Sequence, residues 1–126
     1  MKLLRAHHVS FAITDLARSK QFYETVLGLA EIARPEMGIG GAWYRAGDTE
    51  VHLIVRPAGV ETGTPPPRLT PVADHVAFQI EDYAAAVAHL RGAGLEVLET
   101  SRATGQLWVG DPDGHVVELI VPQIRS

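Results

Sequence analysis

Two stretches decide the fold: His8-Val9-Ser10-Phe11-Ala12-Ile13-Thr14-Asp15 and His75-Val76-Ala77-Phe78-Gln79-Ile80-Glu81-Asp82. They lie 67 residues apart and share His, Val, Phe, Ile and Asp at matching places. Further along, His52-Leu53-Ile54-Val55 matches Glu118-Leu119-Ile120-Val121, and Gly28-Leu29 matches Gly94-Leu95, both at a spacing of 66. One deletion in the second copy accounts for the change of spacing. Two copies are too few for a solenoid, so the chain reads as one unit duplicated.

Each copy carries the same element pattern. Residues 5–13 alternate and contain Val and Phe, which predicts a strand. Asp15 then suits the N-cap of a helix over 16–27, ended by Gly28. Three strands follow, about 30–34, 41–46 and 50–55, with Gly47-Asp48 as a turn between the last two. The second copy gives a strand at 75–80, a helix at 83–92 closed by Gly94, and strands near 95–99, 106–110 and 115–121. Asp111-Pro112-Asp113-Gly114 is the turn before the last of these. The expected class is α+β: two βαβββ modules in a single domain over 1–126. Module 1 covers about 4–57 and module 2 about 72–122. Between them, 58–71 includes three consecutive prolines (Pro65-Pro66-Pro67), which suit a stiff linker and not a strand or helix interior.

Composition narrows the function classes. With 11 Lys+Arg against 15 Asp+Glu and no basic cluster, nucleic acid is not an expected partner. The absence of Cys removes disulfides, thiolate metal sites and a thiol nucleophile, so any metal site must be built from His and carboxylates. No apolar run approaches a membrane span. Met1 to Arg5 runs straight into a strand-like segment with no signal-peptide pattern, so a cytoplasmic protein is expected.

Strand parity picks out the candidate site. If Val9, Phe11 and Ile13 pack under the helix, His8, Ser10 and Ala12 face the other way. The same reasoning places His75 opposite Val76, Phe78 and Ile80, His52 opposite Val51, Leu53 and Val55, and Glu118 opposite Val117, Leu119 and Val121. A lone strand His is usually just a half-exposed or hydrogen-bonded side chain. Here the pairs His8/His75 and His52/Glu118 occupy repeat-equivalent positions on one face. A pseudo-two-fold would bring all four together as a divalent transition-metal site. His7 has the wrong parity, His89 falls on the second helix and His115 follows a turn, so none of these is expected to take part. Ser10 reads as a small residue facing the pocket, Arg56 as a cation on the pocket side, and Trp43 and Trp108 as either pocket wall or core.

These residues resemble the vicinal oxygen chelate superfamily, which includes glyoxalase I, fosfomycin-resistance transferases, methylmalonyl-CoA epimerase, extradiol dioxygenases and bleomycin-binding proteins. The resemblance rests on His7-His8-Val9 with Ile13-Thr14-Asp15-Leu16, and on Phe22-Tyr23 to Leu27-Gly28-Leu29. It continues through Asp74-His75-Val76-Ala77-Phe78 and Asp111-Pro112-Asp113-Gly114-His115, with Val117-Glu118-Leu119. It implies two modules in a cupped mixed sheet, with metal ligands from the first and last strand of each. On this chain those are His8, His52, His75 and Glu118. It further implies a homodimer, a small-molecule substrate with two adjacent oxygens, and a divalent Zn, Ni, Co, Mn or Fe ion. Glu118 is then the expected catalytic base, with His52 as ligand or second proton-transfer group. Glyoxalase I usually has Glu where this chain has His52. The positions that hold glutathione carboxylates there are Ala12 and Pro71 here, so strict glutathione dependence is not expected. The 101–106 segment does not reproduce the potassium loop of the fosfomycin enzymes. The expected activity is a glyoxalase-like isomerase or lyase. The alternatives are an Fe(II) extradiol-type dioxygenase or a non-catalytic antibiotic-binding resistance protein.

Overall fold

A computed structural model describes residues 1–100 and 102–122 of the chain. The chain divides into two compact units, Met1–Gly63 and Thr64–Ser126, with the boundary inside the Pro-rich segment. Each unit has its own small mixed sheet and few helical residues, so the class is α+β. Among the described residues, no helix is long and apolar enough to cross a membrane.

The first unit runs β1 (His8–Ile13), α1 (Leu16–Lys20), a π-helix (Gln21–Val26), β2 (Ala30–Ile32), β3 (Gly41–Ala46) and β4 (Thr49–Val55). Its sheet order is β1-β4-β3-β2, with β1 parallel to β4 and the other pairs antiparallel. The helical segment is the crossover that a parallel pair requires. Asp15 caps it, its side chain accepting from the Arg18 amide at 3.1 Å. Phe11 and Ile13 of β1, Tyr44 of β3 and Val51 and Leu53 of β4 are buried with Phe22 and Tyr23. Burying each of these apolar side chains stabilises the unit by roughly 1.5–3 kcal/mol.

The second unit runs β5 (His75–Gln79), α2 (Tyr83–Gly92), a short 3₁₀ turn (Arg102–Thr104), β6 (Gln106–Gly110) and β7 (Val116–Ile120). The order is β5-β7-β6, with the unit's first and last strands, β5 and β7, again paired parallel and β6 antiparallel to β7. Asp82 repeats the cap of Asp15, accepting from the Ala85 amide at 3.0 Å. Both helical segments close through a left-handed glycine, Gly28 (φ 73°) and Gly94 (φ 83°). The next amide returns to the last turn in each, Leu29 to Tyr23 and Leu95 to Leu90. Asp111, itself buried, shapes the β6–β7 turn by accepting from the Asp113 and His115 amides with one oxygen.

Two expectations are corrected. The helix over 16–27 is α-helical for only five residues and continues as a π-helix, with the Leu27 amide donating to the Phe22 carbonyl five residues back. The wider turn goes with burial of the adjacent Phe22 and Tyr23. The strand near 95–99 reduces to a single bridge, Leu98 with Trp108. Its start is consumed by the helix end, since the Leu95 amide bonds to Leu90. At its far end, Tyr83 and Arg91 bind the Glu99 carboxylate across to α2. The second unit is therefore βαββ with one extra bridge. Ser101, the first residue of the segment compared with the potassium loop, lies outside the described residues.

Candidate metal and substrate site

The duplication persists down to the strand register. In the first unit His52 sits between Ser10 of β1 and Trp43 of β3. In the second, Glu118 sits between Ala77 of β5 and Trp108 of β6. Directly paired residues share a sheet face. The face parity inferred for His8, Ser10, His52, His75 and Glu118 therefore agrees with the observed pairing, and Trp43 and Trp108 lie on that face too. Trp43 is half-buried, and Trp108 is buried with no hydrogen-bond acceptor for its indole nitrogen among the described residues. Arg56 is exposed just beyond the end of β4.

In the second unit, His75 and Glu118 meet. His75 Nδ1 lies 2.7 Å from the Ala73 carbonyl oxygen, which can only accept, so Nδ1 carries a proton. When the ring is neutral its lone pair is then on Nε2, 3.0 Å from Glu118 Oε1. Two acceptor atoms at that distance need a proton or a cation to share. The other carboxylate oxygen, Oε2, accepts from Gln106 Nε2 at 3.2 Å. Glu118 is largely buried (7% side-chain exposure) and His75 less so (24%), so the pair opens toward its His75 side. A neutral imidazole nitrogen and a buried carboxylate oxygen, each oriented by a further hydrogen bond, are two donors of the kind a divalent transition ion takes, fewer than it needs.

The first unit holds a different arrangement. The His52 ring is stacked between Trp43 (centroids 4.1 Å, planes 8° apart) and His8 (4.1 Å, 14°). In-plane lone pairs on two near-parallel rings do not converge, so His8 and His52 are neighbours here without aiming at one point. His8 is exposed. His7, set aside on parity, touches His8 through its Nδ1, 2.9 Å from His8 Nδ1. His52 Nε2 is 2.9 Å from Glu50 Oε1, and Arg45 Nη2 lies 3.5 Å from Glu50 Oε2. The His52 hydrogen bond holds the Glu50 carboxyl below its usual range; partial desolvation opposes this, and Arg45 adds to it.

The four candidate donors thus fall two to each unit. Within either unit, no three His or carboxylate side chains among the described residues form a group able to hold a metal ion. Sequence reasoning missed Glu50 and Gln106. Glu50 was within reach, because it shares parity with His52 two residues on. Gln106 needed the β6–β7 register, which spacing alone does not give.

Comparison with known proteins follows the same line. Residues 5–119 match the model of the Glyoxalase/Bleomycin resistance protein/Dioxygenase superfamily. The chain is 29% identical to "Glyoxylase I 4" of Arabidopsis thaliana over 94% of its own length and 71% of that protein's. It is 31% identical to "Glutathione transferase FosA" of Serratia marcescens, covering 95% of this chain and 82% of that one. Among solved structures, a protein of Bacillus anthracis assigned to the glyoxalase family superposes with a TM-score of 0.79 at 25% identity, covering 98% of both chains.

Proposed function

Because the chain belongs to the Glyoxalase/Bleomycin resistance protein/Dioxygenase superfamily, we propose that it is a divalent-metal-dependent, glyoxalase-like isomerase or lyase. Its substrate would be a small molecule with two adjacent oxygens, and strict glutathione dependence is not part of the reading. The observation that carries the proposal is the Nε2 of His75 facing Oε1 of Glu118 at 3.0 Å, with the ring's proton already committed to Ala73. His8, His52, His75 and Glu118 would hold the ion, a divalent Zn, Ni, Co, Mn or Fe. The chemistry such an ion would supply is Lewis acidity toward a substrate with two adjacent oxygens and its developing enolate charge.

The chain's own residues supply the rest. Glu118 Oε1 takes the proton from the substrate carbon, while Gln106 Nε2 keeps Oε2 occupied and the carboxylate in place. His52 serves as donor to the ion, or as the second proton-transfer group where substrate displaces it. Trp43 with Ser10 in the first unit, and Trp108 in the second, would face the substrate, and Arg56 would attract an acidic one. A homodimer acting in the cytoplasm completes the reading.

The test is metal analysis and turnover on the wild type beside Glu118→Gln. About one ion per set of four donors is expected, with turnover of a small substrate carrying two adjacent oxygens. Glu118→Gln should abolish turnover with modest loss of metal. Full activity in that variant removes Glu118 as the base. Iron uptake with oxygen-dependent catechol cleavage would replace the isomerase with a dioxygenase. No uptake of any of these ions would replace it with a binding protein on the same scaffold.

A further inference from the structure

His52 is the one candidate donor whose ring is clamped on both faces, by Trp43 and by His8. Stacking fixes the plane of the ring but not which edge points where. A ring turned over by half a rotation packs nearly as well, with its nitrogens exchanged for carbons. Something polar at the ring's edge must choose between the two, and Glu50 is the side chain found there, with Oε1 2.9 Å from His52 Nε2.

We propose that Glu50 is a positioning residue for His52: its carboxylate accepts the Nε2 proton, sets the flip of the stacked ring, and leaves the lone pair on Nδ1 as the nitrogen offered to a metal ion. The inference rests on the metal-dependent reading above and deepens it. An ionised carboxylate only accepts, so the hydrogen of this bond belongs to His52 Nε2. A neutral imidazole then has its lone pair on Nδ1. A carboxylate on the far nitrogen of a ligating histidine fixes tautomer and orientation and strengthens the ring as a donor.

Two further observations single out Glu50. Its repeat-equivalent position in the second unit holds Val116, which is buried, so the fold itself does not demand a carboxylate there. The carboxylate that meets His75, Glu118, is itself a candidate donor, and the His75 Nδ1 donates to a backbone carbonyl, leaving the lone pair of the neutral ring on Nε2. The two halves thus prepare their histidines through opposite ring nitrogens. The plainer role for Glu50 is as cross-strand partner of Arg45, its register neighbour. That contact is longer, at 3.5 Å, and Arg45 is mostly exposed (57%), where an ion pair contributes little.

The experiment uses the full chain, metal-free and ¹⁵N-labelled, at about pH 8, where ordinary histidines are neutral. Imidazole ¹⁵N shifts of His52 should report the Nε2–H form in the wild type and a mixture in Glu50→Ala. Zn²⁺ affinity, read by competition with a chromogenic chelator, should fall roughly 10–100-fold in Glu50→Ala. Glu50→Gln should fall between that variant and the wild type, because its amide oxygen still accepts. His52→Ala should bind at least as weakly as Glu50→Ala. An Nδ1–H tautomer for His52 in the wild type overturns the proposal. So does wild-type affinity in Glu50→Ala beside weak binding in His52→Ala, a result that leaves the metal reading standing. Wild-type affinity in His52→Ala removes His52 from the metal, and takes both this proposal and its share of the proposed function with it.

Discussion

Replacing Tyr44 with Phe tests the packing that supports the site face of the first unit. Tyr44 is fully buried on β3, next to Trp43, and its hydroxyl donates to Glu24 Oε2 at 2.8 Å. A hydrogen bond to a charged acceptor contributes about 1.5–3 kcal/mol. Glu24 keeps partial solvent exposure (34%) and the Lys20 ammonium at 3.8 Å, so it is not stranded when the hydroxyl goes. The loss belongs at the lower end, about 1.5 kcal/mol at neutral pH. The pH dependence is sharper. Burial first, then the Glu24 hydrogen bond and charge, push the Tyr44 phenol well above its ordinary value. A raised folded-state pKa contributes stability that is fully present below the unfolded value, about 10, and is lost as pH rises past it. At pH 11 the unfolded chain gains about 1.4 kcal/mol by ionising this tyrosine, a gain the Phe variant lacks. Tyr23 and Tyr83 are common to both proteins and cancel. Urea unfolding followed by circular dichroism at pH 7, 9 and 11 should show a difference of about 1.5 kcal/mol that closes almost to zero at the highest pH. A difference that stays constant or widens would refute the buried, hydrogen-bonded phenol as its source.

Other outcomes follow from the same contacts. Gln106→Leu keeps the bulk but removes the donor to Glu118 Oε2, so Zn²⁺ affinity should fall about tenfold with the unfolding midpoint nearly unchanged; unaltered affinity would dismiss Gln106 as an orienting group. Gly114→Ala should destabilise the chain by roughly 2–4 kcal/mol in thermal or urea unfolding, since φ is +86° and the added carbon would sit 2.6 Å from Pro65 Cβ. A midpoint like the wild type's would mean that the Pro-rich segment does not press on the turn.

Most of the strand framework was legible because its signals are local. The duplicated His-Val-x-Phe-x-Ile-x-Asp stretch carries a strand and its helix cap together: Asp15 caps as read, and its repeat-equivalent Asp82 does the same. The π-helix was not legible, since residues 16–27 contain no Pro or Gly to mark a change of pitch. Leu95 to Glu99 alternates like a strand, yet Tyr83 and Arg91 on α2 hold Glu99 and the helix end takes the Leu95 amide. Contacts made across the fold outweighed a local pattern there. At the site, parity placed the four donors on their faces, but which atoms meet depends on register and ring orientation. Thus the His75–Glu118 contact, the stacking of His8 on His52 and the roles of Glu50 and Gln106 emerge only in three dimensions.

The matched register of Trp43 and Trp108 has an optical consequence. The chain has two tryptophans, one in each unit, each directly across a strand pair from a candidate donor. The molecule therefore has an intrinsic fluorophore beside a candidate donor in each unit. Trp108→Phe deletes an indole N–H that has no acceptor among the described residues, and its cost is that of the buried volume the smaller ring leaves unfilled. Single-tryptophan variants would let any quenching by added Co²⁺ or Ni²⁺ be followed in each unit by itself, one emission decay at a time.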